Sequence, residues 1–346
     1  MLQSPMSRVA KSAAIRASRP IRPLALLGLF VTGACGTNPP GPTLFSSPYG
    51  NASQGDVVAT ASTNIFILVP SGDFEFRNFT VDPGVTLTVP SGTILRCTGT
   101  FTVDGSIQVD VGTFGSTSHS SFNGPAGQGN SAAPAGDATP TAIGSGGRGL
   151  SSGQAAELLD PGPFGGGAGG SSSASAIGGG GNGGDGGGAF TALAAGALSV
   201  AGNIDAGGTA GGVNAGGGAG GIVILASRSS IDVSGVVAAR GGKGGDTTIS
   251  SGHDYVAAGG GGGGGIVNLV SPAITVAGSV LVNPGNGGHG AAEPAVPSTR
   301  GGGGGGGACG GDGGHGGVPL NEPFSTGEDG APGALGQIIA DPTDLF

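Results

Sequence analysis

One pattern of alternating residues occurs four times in this chain, and each copy is built around a central glycine. The positions two and four residues away from the glycine are apolar on both sides, while the residues between them vary. The four copies are Phe101, Val103, Gly105, Ile107, Val109; Leu198, Val200, Gly202, Ile204, Ala206; Ile231, Val233, Gly235, Val237, Ala239; and Ile274, Val276, Gly278, Val280, Val282. A period of two predicts strands with one buried face. The glycine predicts a bend, or a backbone contact too close for a Cβ.

A second repeat lies before and within the first copy, at a spacing of 20 residues. Val69-Pro70-Ser71-Gly72 returns as Val89-Pro90-Ser91-Gly92, and Val109 stands at the same phase. Short strands that recur in this way predict the turns of a β-solenoid, because each turn can bury its apolar side only against its neighbours. We therefore predict an all-β fold, a parallel β-helix with glycine-rich loops, with solenoid turns at 57–115 and again at 189–288.

Glycine supplies 83 of the 346 residues, and many of them lie in tracts with a period of three. Pairs of glycines separate Asn182 from Asp185, and Cys309 from Asp312 and His315. A threefold extended helix would place such residues on one edge. The bare runs at 259–265 and 301–307 have no side chain at all. Flexible linkers are one interpretation of these tracts, because glycine loses much conformational entropy on ordering.

The three-residue rhythm also resembles the polyglycine II bundles found in the tips of phage tail-fibre adhesins and in a snow-flea antifreeze protein. The resemblance covers about 165–318 and implies extended glycine helices packed side by side, with backbone hydrogen bonds between them. Two further segments are less regular. We predict a surface excursion rich in Gly, Ser and Ala at 116–188, and a glycine-rich segment with a C-terminal tail at 289–346.

The N-terminal residues 1–34 contain five basic residues, no acidic residue and an apolar run at 24–31, which predicts an export signal peptide. The stretch from Thr32 to Cys35 resembles the lipobox of bacterial lipoproteins, although that family usually has Leu where Thr32 stands. The resemblance implies lipidation of Cys35, and Gly36 after it implies the outer membrane or cell surface. Cleavage by an ordinary signal peptidase is the alternative. The Pro-rich residues 35–56 are predicted to form a tether.

Removal of residues 1–34 leaves seven basic and 21 acidic residues, a net charge of −14. Nucleic acid is an unsuitable partner for such a chain, since phosphate binding depends on clustered Lys and Arg. Two cysteines remain besides Cys35. In an oxidising compartment Cys97 and Cys309 can form a disulfide, and two separate buried thiols are the alternative.

Three groups of residues are candidates for chemical sites. Asp185 and Asp246 each end a Gly-Gly-x-Gly-Gly-Asp stretch that opens like a calcium-binding nonapeptide repeat, but Gly187 and Thr248 stand where that repeat needs a large apolar residue. Solvated loop carboxylates are the preferred interpretation of both. Cys309, Asp312 and His315 would lie about 9 Å apart along a threefold helix, too far for one metal ion. His253, Asp254 and Tyr255 form the only local acid-base cluster, which a surface loop explains.

The sequence therefore predicts no catalytic residue, metal ligand or cofactor. We expect a non-enzymatic structural or adhesive surface protein, bound to a membrane through its lipid and able to contact a surface polysaccharide or protein. A carbohydrate-binding or carbohydrate-active β-helix protein is the main alternative, with Asp104, Asp205 and Asp232 at outward positions, although the absence of Trp removes the usual stacking platform for sugars. An ice-binding protein is a weaker alternative, because Thr is irregular at those positions.

Overall fold

The computed structural model describes residues 47–115, 165–170, 181–247, 258–290, 313–314, 316 and 337–341. Several predicted features lie outside these residues. They are the signal peptide, Cys35 and most of its tether, the cluster from His253 to Tyr255, and the set of Cys309, Asp312 and His315.

Eighteen strands and one short helix make up the described secondary structure. They are β1 (Asp56–Ala59), β2 (Thr63–Asn64), α1 (Ile65–Leu68), β3 (Glu75–Phe76), β4 (Asn78–Val81), β5 (Thr86–Val89), β6 (Thr93–Cys97), β7 (Phe101–Val103), β8 (Ser106–Val109), β9 (Ala189–Ala194), β10 (Leu198–Val200), β11 (Asn203–Asp205), β12 (Ile222–Ser227), β13 (Ile231–Val233), β14 (Val236–Ala238), β15 (Ile266–Val270), β16 (Ile274–Val276), β17 (Ser279–Leu281) and β18 (Gln337–Asp341).

The strands form three parallel sheets of six strands each, in which every third strand of the chain is a neighbour. Sheet A has the order β1-β4-β7-β10-β13-β16, sheet B has β2-β5-β8-β11-β14-β17, and sheet C has β3-β6-β9-β12-β15-β18. Each coil of chain therefore contributes one strand to each sheet in turn. The six coils, numbered 1 to 6 along the chain, form the predicted parallel β-helix.

The four glycine-centred segments stack in register. Phe101 pairs with Leu198, Leu198 with Ile231, and Ile231 with Ile274. These residues occupy the same position in the four copies of the repeated pattern. Their central glycines meet at the corner between sheets A and B. A Cβ on Gly202 would lie 1.8 Å from the Gly105 carbonyl oxygen, and each later glycine repeats this contact. The prediction of a close backbone contact is confirmed.

The uniform spacing of 20 residues holds for only one step. Leu87 pairs with Ile107, 20 residues on, but Phe79 pairs with Phe101 after 22 and Thr63 with Leu87 after 24. The first Val-Pro-Ser-Gly marker does not follow a strand, because Val69 is the C-cap of helix α1. The helix adds residues at the corner between sheets B and C, which lengthens coil 1.

Inward side chains form one continuous apolar core along the axis. Four phenylalanine rings on sheets A and C follow one another through it, with centroid distances of 4.8 Å from Phe76 to Phe79, 5.6 Å to Phe101 and 6.5 Å to Phe190. In sheet C every residue of β12 and β15 is buried, so both faces of those strands are covered. This explains their nearly unbroken apolar sequence.

The described glycine tracts all connect sheet B to sheet C, in coils 3 to 6. They contact one another through backbone hydrogen bonds that recur every three residues, such as Gly217 and Gly220 donating to the carbonyls of Gly260 and Gly263, both at 2.9 Å. Most of these glycines are buried. A solvated linker does not have these properties, so the linker interpretation does not fit the described tracts. We call this assembly of tracts the glycine layer.

Two predicted segments, the tether and the surface excursion, contain residues that the structure places within the packed body. The predicted tether ran to residue 56, but Tyr49 is 5% exposed and the Gln54 amide donates to the Glu75 carbonyl at 3.0 Å. Residues 47–55 pack on coil 1, because the first coil of a solenoid needs a neighbour to bury its side. Similarly, residues 165–170 and 183–184 of the predicted surface excursion are buried in the glycine layer.

Candidate functional site

The glycine layer carries side chains where the chain leaves sheet B in coils 5 and 6. Ala238 pairs with Leu281 at the ends of β14 and β17. Beyond the strands, the amides of Gly241, Gly244 and Thr247 donate to the carbonyls of Asn283, Asn286 and His289 at 2.8 to 2.9 Å. The register of the sheet thus continues into the glycine layer without a break.

Exposure along both tracts has a period of three. In coil 6, Val282, Gly285 and Gly288 are buried, whereas the residue after each of them is exposed. Coil 5 shows the same rhythm. The exposed residues of the two tracts are Arg240, Lys243 and Asp246 in coil 5 and Asn283, Asn286 and His289 in coil 6. We call these six residues the polar edge.

Close packing confines side chains to this edge. A Cβ on Gly242 would lie 1.8 Å from the Thr209 carbonyl oxygen, and one on Gly245 would lie 1.6 Å from that of Gly212. In coil 6, a Cβ on Gly285 would lie 1.8 Å from the Gly242 oxygen. The backbone already occupies these positions, so none of these three glycines has room for a side chain.

One ion pair lies on the polar edge. Lys243 Nζ lies 2.7 Å from both carboxylate oxygens of Asp246, and the His289 amide donates to Asp246 Oδ1 at 2.8 Å. The hydrogen bond from Lys243, and then the one from His289, lower the pKa of Asp246 below its ordinary value. Arg240 is exposed and takes part in no ion pair among the residues that the structure describes.

The next tract, in coil 4, has a different character. Gly208 donates to the Arg240 carbonyl at 2.8 Å and Gly211 donates to that of Lys243 at 2.9 Å. The corresponding residues of this tract, one before each donor, are Gly207 and Ala210. The same hydrogen bonds between tracts therefore form without polar side chains at the corresponding positions, so the polar edge is not a requirement of the packing.

The aspartates of the two Gly-Gly-x-Gly-Gly-Asp stretches are engaged in other contacts. Asp185 Oδ1 accepts a hydrogen bond from the Gly115 amide at 2.7 Å, and Asp246 binds Lys243. Within the described ranges, no group of three His, Cys, Asp or Glu residues could hold a metal ion. The exposed, ion-paired Asp246 fits the interpretation of a surface carboxylate, while Asp185 is half-buried and joins two tracts.

The three outward aspartates lie at separate places on the molecule. Asp104 stands at the corner between sheets A and B in coil 3, Asp205 at the end of β11 in sheet B, and Asp232 in the middle of β13 in sheet A. The fold does not place them in one column of any sheet. They do not form the paired carboxylates that glycoside hydrolysis commonly uses.

Cys97 is fully buried at the end of β6, and its thiol is bonded to no cysteine among the described residues. Burial raises its pKa to about 12, which makes it an unreactive nucleophile. Its partner in the predicted disulfide, Cys309, lies outside the described residues, so that pairing stays a prediction.

Sequence reasoning did not identify the polar edge, although a signal for it was present. From the sequence, Asp246 is interpreted as a solvated loop carboxylate with calcium as the alternative, and the Asn residues of the coil 6 tract belong to no predicted site. The signal is a shared offset of 43 residues, which relates Ala238 to Leu281 in the strands and Asp246 to His289 in the tracts. Recognising it requires following the strand register into glycine-rich sequence.

No protein-family model, curated protein or solved structure matches this chain. Among the described residues there is no helix with the length and apolar character to span a membrane.

Proposed function

We propose that this protein is a non-enzymatic, exported and lipid-anchored surface protein that presents a rigid, repetitive face for structural or adhesive contact. The observation that carries the proposal is the continuous register from sheet B into the glycine layer. Ala238 opposite Leu281 is followed by backbone hydrogen bonds at Gly241, Gly244 and Thr247. A face built in this way extends beyond the coils and is fixed by its own backbone.

The glycine layer supports a mechanical function because its contacts are made by backbone rather than by side chains. We propose that its tracts are packed polyglycine II helices, since their hydrogen bonds and exposure both repeat every three residues. The interior positions are glycines with no room for a side chain, so no change of rotamer can alter the spacing between the tracts. The layer would therefore hold the spacing of its exposed residues under load.

Anchoring follows from the N-terminal sequence. A lipid on Cys35 would be joined to the coils by residues 36–46, which could extend to about 36 Å. The protein would then stand close to the outer membrane and meet a surface polysaccharide or another protein with its outward faces. A carbohydrate-active enzyme is a weaker account, because Asp104, Asp205 and Asp232 are on different parts of the fold.

Metabolic labelling with a fatty acid tests the anchoring. The wild type and a Cys309→Ala control should incorporate the label and fractionate with the outer membrane, whereas Cys35→Ala should incorporate none and be released by export. Protease added to intact cells should remove the wild-type protein if it is on the surface. Retention of residues 1–34 in a cytoplasmic product, or label in Cys35→Ala, would contradict the proposal.

A further inference from the structure

The polar edge has the chemistry of a ligand-binding strip. Its side chains stand side by side in register, as Arg240 with Asn283, Lys243 with Asn286, and Asp246 with His289. Successive pairs are about 9 Å apart, the rise of three residues in a threefold extended helix. The strip follows the direction of the two tracts, because every third residue of each tract lies on it. It therefore fits a linear polymer better than a compact molecule.

The polarity of the strip indicates what kind of polymer. The two Asn amides each provide both hydrogen-bond donors and an acceptor, and Arg240 provides donors only. Asp246 compensates Lys243, so one formal charge is uncompensated among the six residues. The chain without residues 1–34 also has a net charge of −14, which would repel a polyanion. Hydroxyl groups, which donate and accept, match such a surface.

We infer that the polar edge binds a linear, uncharged polysaccharide, which lies along the tracts and hydrogen-bonds with its hydroxyls to Arg240, Asn283 and Asn286. The inference rests on the proposed function and names the ligand class of its adhesive face. Polar residues at these positions are not needed for packing, since coil 4 has Gly207 and Ala210 at the equivalent places. Their presence in coils 5 and 6 is explained by a contact outside the chain.

The test uses purified protein with residues 1–34 removed, and measures its binding to a soluble linear glucan, a linear mannan and a linear galactan. Polygalacturonate serves as the anionic comparison. At least one neutral polymer should bind, with little dependence on salt. The Asn283→Ala/Asn286→Ala double variant should bind it about tenfold more weakly, because two amides that hydrogen-bond the polymer are lost. Asn203→Ala is the matched control, an outward asparagine of β11 that lies off the edge, and should bind normally.

Three results would overturn the inference. They are no binding to any of the neutral polymers, preferential binding of polygalacturonate, and equal affinity of the double variant and the wild type. Circular dichroism of each variant checks that the fold is retained, and Arg240→Gln gives a second variant on the same edge. Failure here leaves the fatty-acid labelling result unchanged, so it is distinguishable from failure of the proposed function.

Discussion

Individual glycines are required in this protein for two different physical reasons. In the segment before coil 1 and in a turn of coil 2, Gly50 and Gly84 have φ angles of 82° and 77°, which other residues rarely adopt. At the corner between sheets A and B and in the glycine layer the reason is proximity, because a Cβ would meet a carbonyl oxygen of a neighbouring coil. Gly235 is such a residue, with the Gly202 oxygen 2.0 Å from the position of its Cβ.

A single methyl group at this corner should therefore be costly. Gly235→Ala should lower the free energy of unfolding by about 3 kcal/mol, because neighbouring coils must separate to admit the Cβ. Ser234→Ala is the neighbouring control. Its side chain is exposed, so the change should be about 0.5 kcal/mol or less. Urea denaturation followed by circular dichroism measures both, and equal midpoints for the two variants would contradict the close contact.

At the scale of elements, the sequence of each glycine tract reflects its position in the layer. The bare run at 259–265 is surrounded by other tracts: Gly262 donates to Gly242, while Gly260 and Gly263 accept from Gly217 and Gly220. Every residue of this run is buried. The coil 6 tract, in contrast, has one exposed side and carries Asn or His there. Interior tracts need glycine at every position, and edge tracts need it at only some.

This difference predicts that alanine destabilises the protein at an interior position of the glycine layer but not at an exposed edge position. Gly262→Ala should destabilise the glycine layer by about 2 kcal/mol, since its Cβ would lie 2.1 Å from the Gly218 oxygen. Asn286→Ala, at an exposed edge position, should leave stability nearly unchanged. Hydrogen exchange would show faster exchange of the amides of Gly242 and Gly217 only in the first variant. Similar exchange in both would mean that the run at 259–265 is not enclosed.

The strand content of the coils was predictable, because alternation around the four glycines records which residues face the core. The partners of the glycine tracts were not, because a residue without a side chain carries no information about its neighbours. The polar edge was missed for this reason: Asp246 and His289 are brought together only by the register of distant strands. Helix α1 was missed too, since Ile65-Phe66-Ile67-Leu68 is equally suited to a strand.

At the scale of the molecule, burial is deepest in the middle coils and weaker at the ends of the stack. Val276 in coil 6 is 46% exposed, although Val233, its partner in coil 5, is fully buried. At the other end, residues 47–55 pack on coil 1, where the Arg77 amide donates to the Gly55 carbonyl at 2.7 Å. The described residues belong to one compact unit, Ser46–Phe346. Its N-terminal boundary is therefore expected before residue 47 and not at residue 57.

Two shortened chains distinguish these boundaries. The chain 47–346 should give a β-type circular dichroism spectrum and a protease-resistant core. The chain 57–346 should unfold at a temperature lower by several degrees, because it lacks buried Tyr49 and the backbone hydrogen bonds of Gln54 and Gly55 to coil 1. Tyr49→Ala in the longer chain should reproduce part of that loss, since it removes the buried ring and keeps those backbone bonds. Identical melting of both chains would mean that residues 47–56 form a tether after all, and a coil spectrum of the longer chain would contradict the β-helix itself.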